Sequence, residues 1–131
     1  MAVTVLVADN DAGVRSLLAE VVRRSGCAVV EADNGVDAVA LVEQRPVDIL
    51  VCDLDMPGVA GEEVVARVAA RSAPPAIVVV SGFLDAATVE ALQAQACVRA
   101  VLRKPFDVLM FADLIGRLVA AASVAPPPER S

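Results

Sequence analysis

Two periodicities alternate along the chain. Short runs dense in β-branched residues recur at Val3–Ala8 (VTVLVA), Ala28–Ala32, Asp48–Cys52 (DILVC), Ala76–Val80 (AIVVV) and Ala100–Leu102. Several are continuously apolar, the pattern of strands covered on both faces. Between them lie stretches with helical spacing. In the first, Val14, Leu17, Leu18, Val21 and Val22 form one stripe, while Arg15, Glu20, Arg23 and Arg24 face away.

Helix punctuation supports the same division. Asp11 is placed to cap the first helix and Gly26 to end it. Asn34-Gly35 precedes the second helix and Pro46 follows it. The third starts near Gly61 and stops before Pro74-Pro75, and Asp85 caps a fourth over Ala86–Gln95. Pro105 stands where helix N-termini tolerate proline, ahead of a last helix reaching about Ala122. Strands alternating with helices imply parallel βαβ units, hence an α/β fold: a five-stranded parallel sheet, doubly wound, in a three-layer sandwich. One domain is expected over residues 1–122. Residues 123–131 form a Pro-rich tail whose APPPERS segment is too proline-rich and polar to pack, so it is expected to be disordered.

Composition narrows the function. Of 131 residues 57% are hydrophobic, with no Trp or Tyr, so Val, Ala, Leu and Ile must build the core. The net charge of −6 argues against direct nucleic-acid binding, which needs a concentrated basic surface. No apolar run approaches the roughly 20 residues of a membrane span. The start, MAVTVLVADND, lacks a basic leader segment, and a cytoplasmic location is expected. Cys27, Cys52 and Cys97 are widely spaced, and without His or C-x-x-C they read as reduced apolar residues rather than zinc ligands. The absence of His also removes Ser-His and Cys-His catalysis.

In open α/β sheets, ligands bind beyond the carboxyl ends of the strands. Here those ends carry Asp9, Asn10 and Asp11, then Asp53 and Asp55, then Ser81-Gly82, then Lys104-Pro105. Each has an ordinary reading alone: Asp and Asn form turns, Ser-Gly is common, and Lys is solvated. Their joint placement on one rim is the informative feature. Clustered carboxylates repel unless a hard cation neutralises them, and Mg²⁺ suits one or two carboxylates plus phosphate oxygens. An aspartate in such a site can attack phosphorus, with lysine and hydroxyl groups offsetting charge on the transferring oxygens.

With these residues in view, the chain resembles a response-regulator receiver domain of two-component signalling, from about Val3 to Ala122. The match lies in VLVADND, then D-x-x-M-P-G-x-x-G as DLDMPGVAG (Asp53–Gly61), then VVVSG, then Lys104-Pro105-Phe106. The resemblance implies a flavodoxin-like fold with Asp53 as phosphoacceptor. It implies Mg²⁺ held by Asp9, Asn10, Asp53 and the backbone carbonyl of Asp55, with Ser81 and Lys104 contacting the phosphoryl group. It also implies a cis peptide bond before Pro105. A histidine kinase or phosphotransfer protein would be the donor. A downstream protein would dock on the face of the fourth helix, fifth strand and fifth helix, which is alanine-rich at the fourth helix. Enzymatic activity would be limited to self-phosphorylation and self-dephosphorylation, in a monomer or weak dimer.

Two positions depart from that pattern. The second acidic residue after strand one is Asn10, so weaker Mg²⁺ binding is expected, with Asp11 or Asp55 as candidate compensators. Val101 stands where the family often carries Tyr or Phe, so the aromatic half of the Ser81 switch is expected to be muted. Gly82 leaves room for a small donor or water, and Phe83 is either a partner contact or a loop cover. Two alternatives remain: a pseudo-receiver that binds without phosphotransfer, and a haloacid-dehalogenase-type phosphatase. In the latter, Asp53-Leu54-Asp55 fits the D-x-D but the acidic cluster stands at the wrong end of the chain.

Overall fold

In a computed structural model, which describes residues 2–124, five strands and five helices alternate. They are β1 (Thr4–Ala8), α1 (Ala12–Arg24), β2 (Ala28–Ala32), α2 (Gly35–Gln44), β3 (Ile49–Asp53), α3 (Gly61–Ala69), β4 (Ala76–Ser81), α4 (Ala86–Gln93), β5 (Val98–Arg103) and α5 (Val108–Val124). All pairings are parallel and the strand order is β2-β1-β3-β4-β5. This is the doubly wound sheet expected from the alternating pattern.

The period of two along each strand divides the apolar side chains between two cores. Leu6, Leu50, Cys52, Ile77 and Val79 pack on one face with Val39, Val64 and Val68. Val5, Val7, Ile49, Val51, Val78 and Val80 pack on the other with Leu18, Phe111 and Ile115. Every residue of β3 is buried, and β3 pairs with β1 and β4. Its last residue is therefore fixed by neighbours on both sides.

Punctuation holds at most helix ends. Asp11, Asn34 and Asp85 cap α1, α2 and α4 by accepting from Val14, Asp37 and Thr88 backbone N–H groups. Gly26, with φ of 88°, turns the chain after α1. The last helix differs from expectation. It begins at Val108, and the Asp107 carboxylate accepts from the Leu109 and Met110 amides at 2.8 and 3.3 Å. Pro105 thus lies outside α5, in the connection from β5, and the Lys104–Pro105 peptide is cis. Strand β5 extends beyond the expected Ala100–Leu102 at both ends, because Val98 pairs with Ile77 and Arg103 with Ser81. Its polar ends, Arg99 and Arg103, conceal it from a hydrophobic pattern. Helix α5 continues to Val124, and the remainder of the expected tail lies outside the described residues. Among the described residues no helix is long and apolar enough to cross a membrane.

Candidate functional site

Strands β1, β3 and β4 end level with one another, and each delivers one polar residue into the rim. Asp9 is 0%, Asp53 1% and Ser81 0% exposed, and they are the buried polar side chains of the sheet. Burial of two carboxylates is costly unless hydrogen bonds and an opposite charge meet them. Both provisions are present. Asp9 Oδ1 accepts from the Asp11 amide at 2.9 Å, and Asp53 Oδ1 accepts from the Asp55 amide at 3.1 Å. Lys104 Nζ lies 3.0 Å from Asp9 Oδ2 and 3.4 Å from Asp53 Oδ2. Carboxylates from two strand ends thus share one ammonium supplied from a third.

The electrostatics follow from this crowding. Burial pushes Asp53 up from 3.8 to about 6, and the Asp9 charge adds to the rise against the opposing Asp55 amide and Lys104. Burial alone would disfavour the Lys104 ammonium, but the Asp9 hydrogen bond and both carboxylate charges outweigh it and raise its pKa. Cys52, beside Asp53 in the core, is pushed up to about 12 by burial and by the charges of Asp53 and Asp9, so it stays a thiol. All three cysteines are free; Cys27 and Cys52 are buried and Cys97 is partly so.

Ser81 is engaged locally. Its hydroxyl accepts from the Phe83 amide at 3.1 Å, donates to the Phe83 carbonyl at 3.0 Å and lies 3.5 Å from Asp55 Oδ2. Phe83 itself is 85% exposed, so its ring covers no loop. A Cβ added at Gly82 would meet nothing within 4 Å, which leaves open space beside the hydroxyl. Val101 pairs with Val79 and packs half-buried against the core beneath α2 and α3.

The remaining expected residues sit at the edge. Asn10 is exposed in the bend after β1, and Asp55 is exposed at the start of the loop after β3. Asp11 is occupied as the α1 cap, at 3.1 Å from the Val14 amide. Among the described residues, no three His, Cys, Asp or Glu side chains converge as a metal cluster. Charged side-chain donors are therefore the pair Asp9 and Asp53. This all-oxygen pair fits Mg²⁺, which takes one or two carboxylates and leaves the rest of its shell to carbonyls and water.

One participant escaped the sequence pattern. Arg15 belongs by spacing to the solvent face of α1, yet its guanidinium turns back and donates to the Asp9 carbonyl at 2.9 Å. An Arg four residues after a cap is too common on helices to have drawn notice.

Similarity to known proteins agrees with this geometry. Residues 5–115 match the response regulator receiver domain family. The chain is 35% identical over 120 residues to the transcriptional regulatory protein PdtaR of Mycobacterium tuberculosis, covering 91% of this chain and 56% of that protein. It is 34% identical over 132 residues to the positive alginate biosynthesis regulatory protein of Pseudomonas aeruginosa, covering 94% and 52%. The chain thus spans about half the length of these relatives. The fold superposes on a CheY-like receiver domain of Methanospirillum hungatei with a TM-score of 0.84 at 17% identity, covering 94% of this chain and 98% of that one. With a family match spanning most of its length, this chain belongs to the response regulator receiver domain family of two-component signalling.

Proposed function

We propose that Asp53 accepts a phosphoryl group from a histidine kinase or phosphotransfer protein, and that the acquired charge changes what the domain binds. The observation that carries this reading is the pair of buried carboxylates, Asp9 and Asp53, closing on Lys104. With its pKa raised to about 6, Asp53 is ionised at neutral pH yet more basic than an ordinary aspartate, which favours attack.

An Asp53 carboxylate oxygen bonds to phosphorus. The phosphorus–nitrogen bond of the phosphohistidine breaks, and its electron pair leaves on the imidazole nitrogen. The product is an acyl phosphate. Lys104 offsets charge on the transferring oxygens, and the Ser81 hydroxyl exchanges its Phe83 carbonyl for one of them. Asp9, Asp53, the Asp55 backbone carbonyl and the Asn10 amide oxygen are the groups that would hold Mg²⁺. Bound there, the ion supplies positive charge against the developing phosphoryl charge.

The movement of Ser81 frees the loop that leads into α4. That helix buries one side chain, Leu92, so little packing opposes its displacement. Val101 contributes no ring to this switch. Output goes to a downstream protein on the α4–β5–α5 face, with no direct nucleic-acid contact, in a cytoplasmic monomer or weak dimer. Activity is regulatory, limited to gaining and losing its own phosphoryl group.

The exposed Asn10, which brings no charge to the site, favours one alternative, a binding module that no longer takes phosphate. Incubation with Mg²⁺ and a small phosphodonor, followed by intact mass, separates the two. A phosphate adduct absent from Asp53→Asn is expected. No adduct under any metal condition would leave the binding module.

A further inference from the structure

Each polar group of Asp9 has a partner, and one of its restraints comes from outside the rim. Its N–H donates to the Ala32 carbonyl at 3.0 Å, and its carbonyl accepts from Arg15 Nη1 at 2.9 Å. Arg15 Nε is held in turn by Glu31 Oε1 at 3.2 Å, and Glu31 Oε2 lies 3.2 Å from Arg23 Nη2. Glu31 immediately precedes Ala32 in β2. The end of β2 therefore grips Asp9 twice, directly through Ala32 and indirectly through Glu31 and Arg15.

We infer that Arg15, oriented by Glu31, is a positioning residue that fixes Asp9 for its part in the phosphoryl site. The inference rests on the function proposed above. The planar guanidinium holds diverging donors, Nη1 and Nε, rigidly toward a carbonyl and a carboxylate at once, which a lysine ammonium on a flexible stem does not reproduce. The Arg15 side chain is 21% exposed and that of Glu31 33%, so solvent screens the pair only partly. Glu31 has a second effect. It compensates the Arg15 charge, which would otherwise oppose a cation bound by Asp9. In a site one negative charge short at Asn10, that compensation matters more. Arg23 shares Glu31 but has no contact with Asp9 among the hydrogen bonds of this cluster, which makes it the natural control.

The test uses the full chain in four forms beside the parent: Arg15→Met, Arg15→Lys, Glu31→Gln and Arg23→Gln. Two quantities are read: amide exchange at Asp11, whose N–H reports the Asp9 carboxylate in metal-free protein, and Mg²⁺ affinity by titration. Arg15→Met is expected to speed Asp11 exchange and weaken Mg²⁺ binding by about tenfold, the usual scale for losing a contact that orients a ligand. Arg15→Lys is expected not to restore either. Glu31→Gln, an isosteric change at the surface, shifts both in the same direction by less, and so decides the matter if Arg15→Met fails to fold. Arg23→Gln leaves both unchanged. Parent-like Mg²⁺ affinity in Arg15→Met, or an Arg23→Gln that matches it, overturns the inference. If the parent binds no Mg²⁺, the proposed function fails instead, and exchange at Asp11 alone decides whether Arg15 positions Asp9.

Discussion

Lys104 reaches across 95 positions of chain to place its ammonium 3.0 Å from the wholly buried carboxylate of Asp9. The same nitrogen lies 3.4 Å from Asp53, so one cation answers two buried anions from adjacent strands. Removing one partner of a buried pair leaves an uncompensated charge, which is far worse than never having had the pair. Lys104→Met is therefore expected to lose about 2–3 kcal/mol at pH 7, less than for a fully enclosed pair because the ammonium is partly exposed. The loss should shrink at pH 4.5, where Asp53 takes up a proton. Urea unfolding at the two pH values measures this, and a variant as stable as its parent at pH 7 contradicts it.

Asp53 carries the opposite expectation. Its folded value of about 6 lies above its ordinary 3.8, so the folded protein holds that proton more tightly than the unfolded chain does. The group's favourable contribution is complete below 3.8 and is lost as pH rises through about 6. At pH 7 the ionised carboxylate is a net cost, of about 3 kcal/mol at most by linkage. Asp53→Asn should then be the more stable protein at pH 7, with the advantage vanishing below pH 4. Thermal or urea unfolding across that range checks the sign, and a less stable Asp53→Asn at pH 7 would contradict it.

Most of the fold, and the placement of Asp9, Asp53, Ser81 and Lys104 at strand ends, is legible in the sequence. Runs such as DILVC announce a strand buried on both faces because every residue from Ile49 to Cys52 is apolar, up to Asp53. The caps at Asp11 and Asp85 are legible because a short acceptor before a helical stripe has a local cause, whereas Asn34 reads only as preceding α2 and the structure makes it the cap. The start of α5 is not legible, since Pro105 and Asp107 compete as signals and the carboxylate prevails. The role of Arg15 was hidden for a different reason. Helical spacing assigns a Cβ to a face, but a long side chain can fold back over it, as this one does to the Asp9 carbonyl. The Ser81–Phe83 turn and the sharing of Lys104 are likewise tertiary facts with no local signature.

Asn10 is exposed beside the buried Asp9, so a charge placed there acts through largely solvated space. At such a position a carboxylate near a cation contributes on the order of 1 kcal/mol. Asn10→Asp should tighten Mg²⁺ binding by about fivefold, with the gain falling as ionic strength rises. A metal titration against the natural chain gives the answer, and no gain in affinity at low salt would sink the idea.

Ser81 ties down both polar groups of Phe83, whose ring stands 85% exposed. Ser81→Ala strips the Phe83 amide and carbonyl of that partner, at a net loss of about 1 kcal/mol. Faster amide exchange at Phe83 is expected, while Val79 and Val80 in β4 keep their protection. Ser81→Thr, which retains the hydroxyl, should preserve the parent exchange rate. Unaltered exchange at Phe83 in Ser81→Ala would mean that the hydroxyl does not hold the loop.

The loop after Asp53 is closed by a glycine that admits no side chain. A Cβ at Gly61 would stand 2.4 Å from the Asp53 carbonyl oxygen and 2.3 Å from Leu54 Cα, both of them backbone atoms. Gly61 N–H also donates to the Leu54 carbonyl at 3.1 Å, so the start of α3 is pinned directly beneath the acceptor. Gly61→Ala must push one of these segments aside, which overpacking data place at about 1–3 kcal/mol. The displacement falls on Asp53 and the Asp55 loop. The variant should therefore lose stability by that amount and, in folded protein well below its melting temperature, take up phosphoryl more slowly at fixed Mg²⁺. Gly116→Ala provides the contrast, because a Cβ there meets nothing within 4 Å. Equal stability of the two alanine variants would show that the approach at Gly61 relaxes without strain.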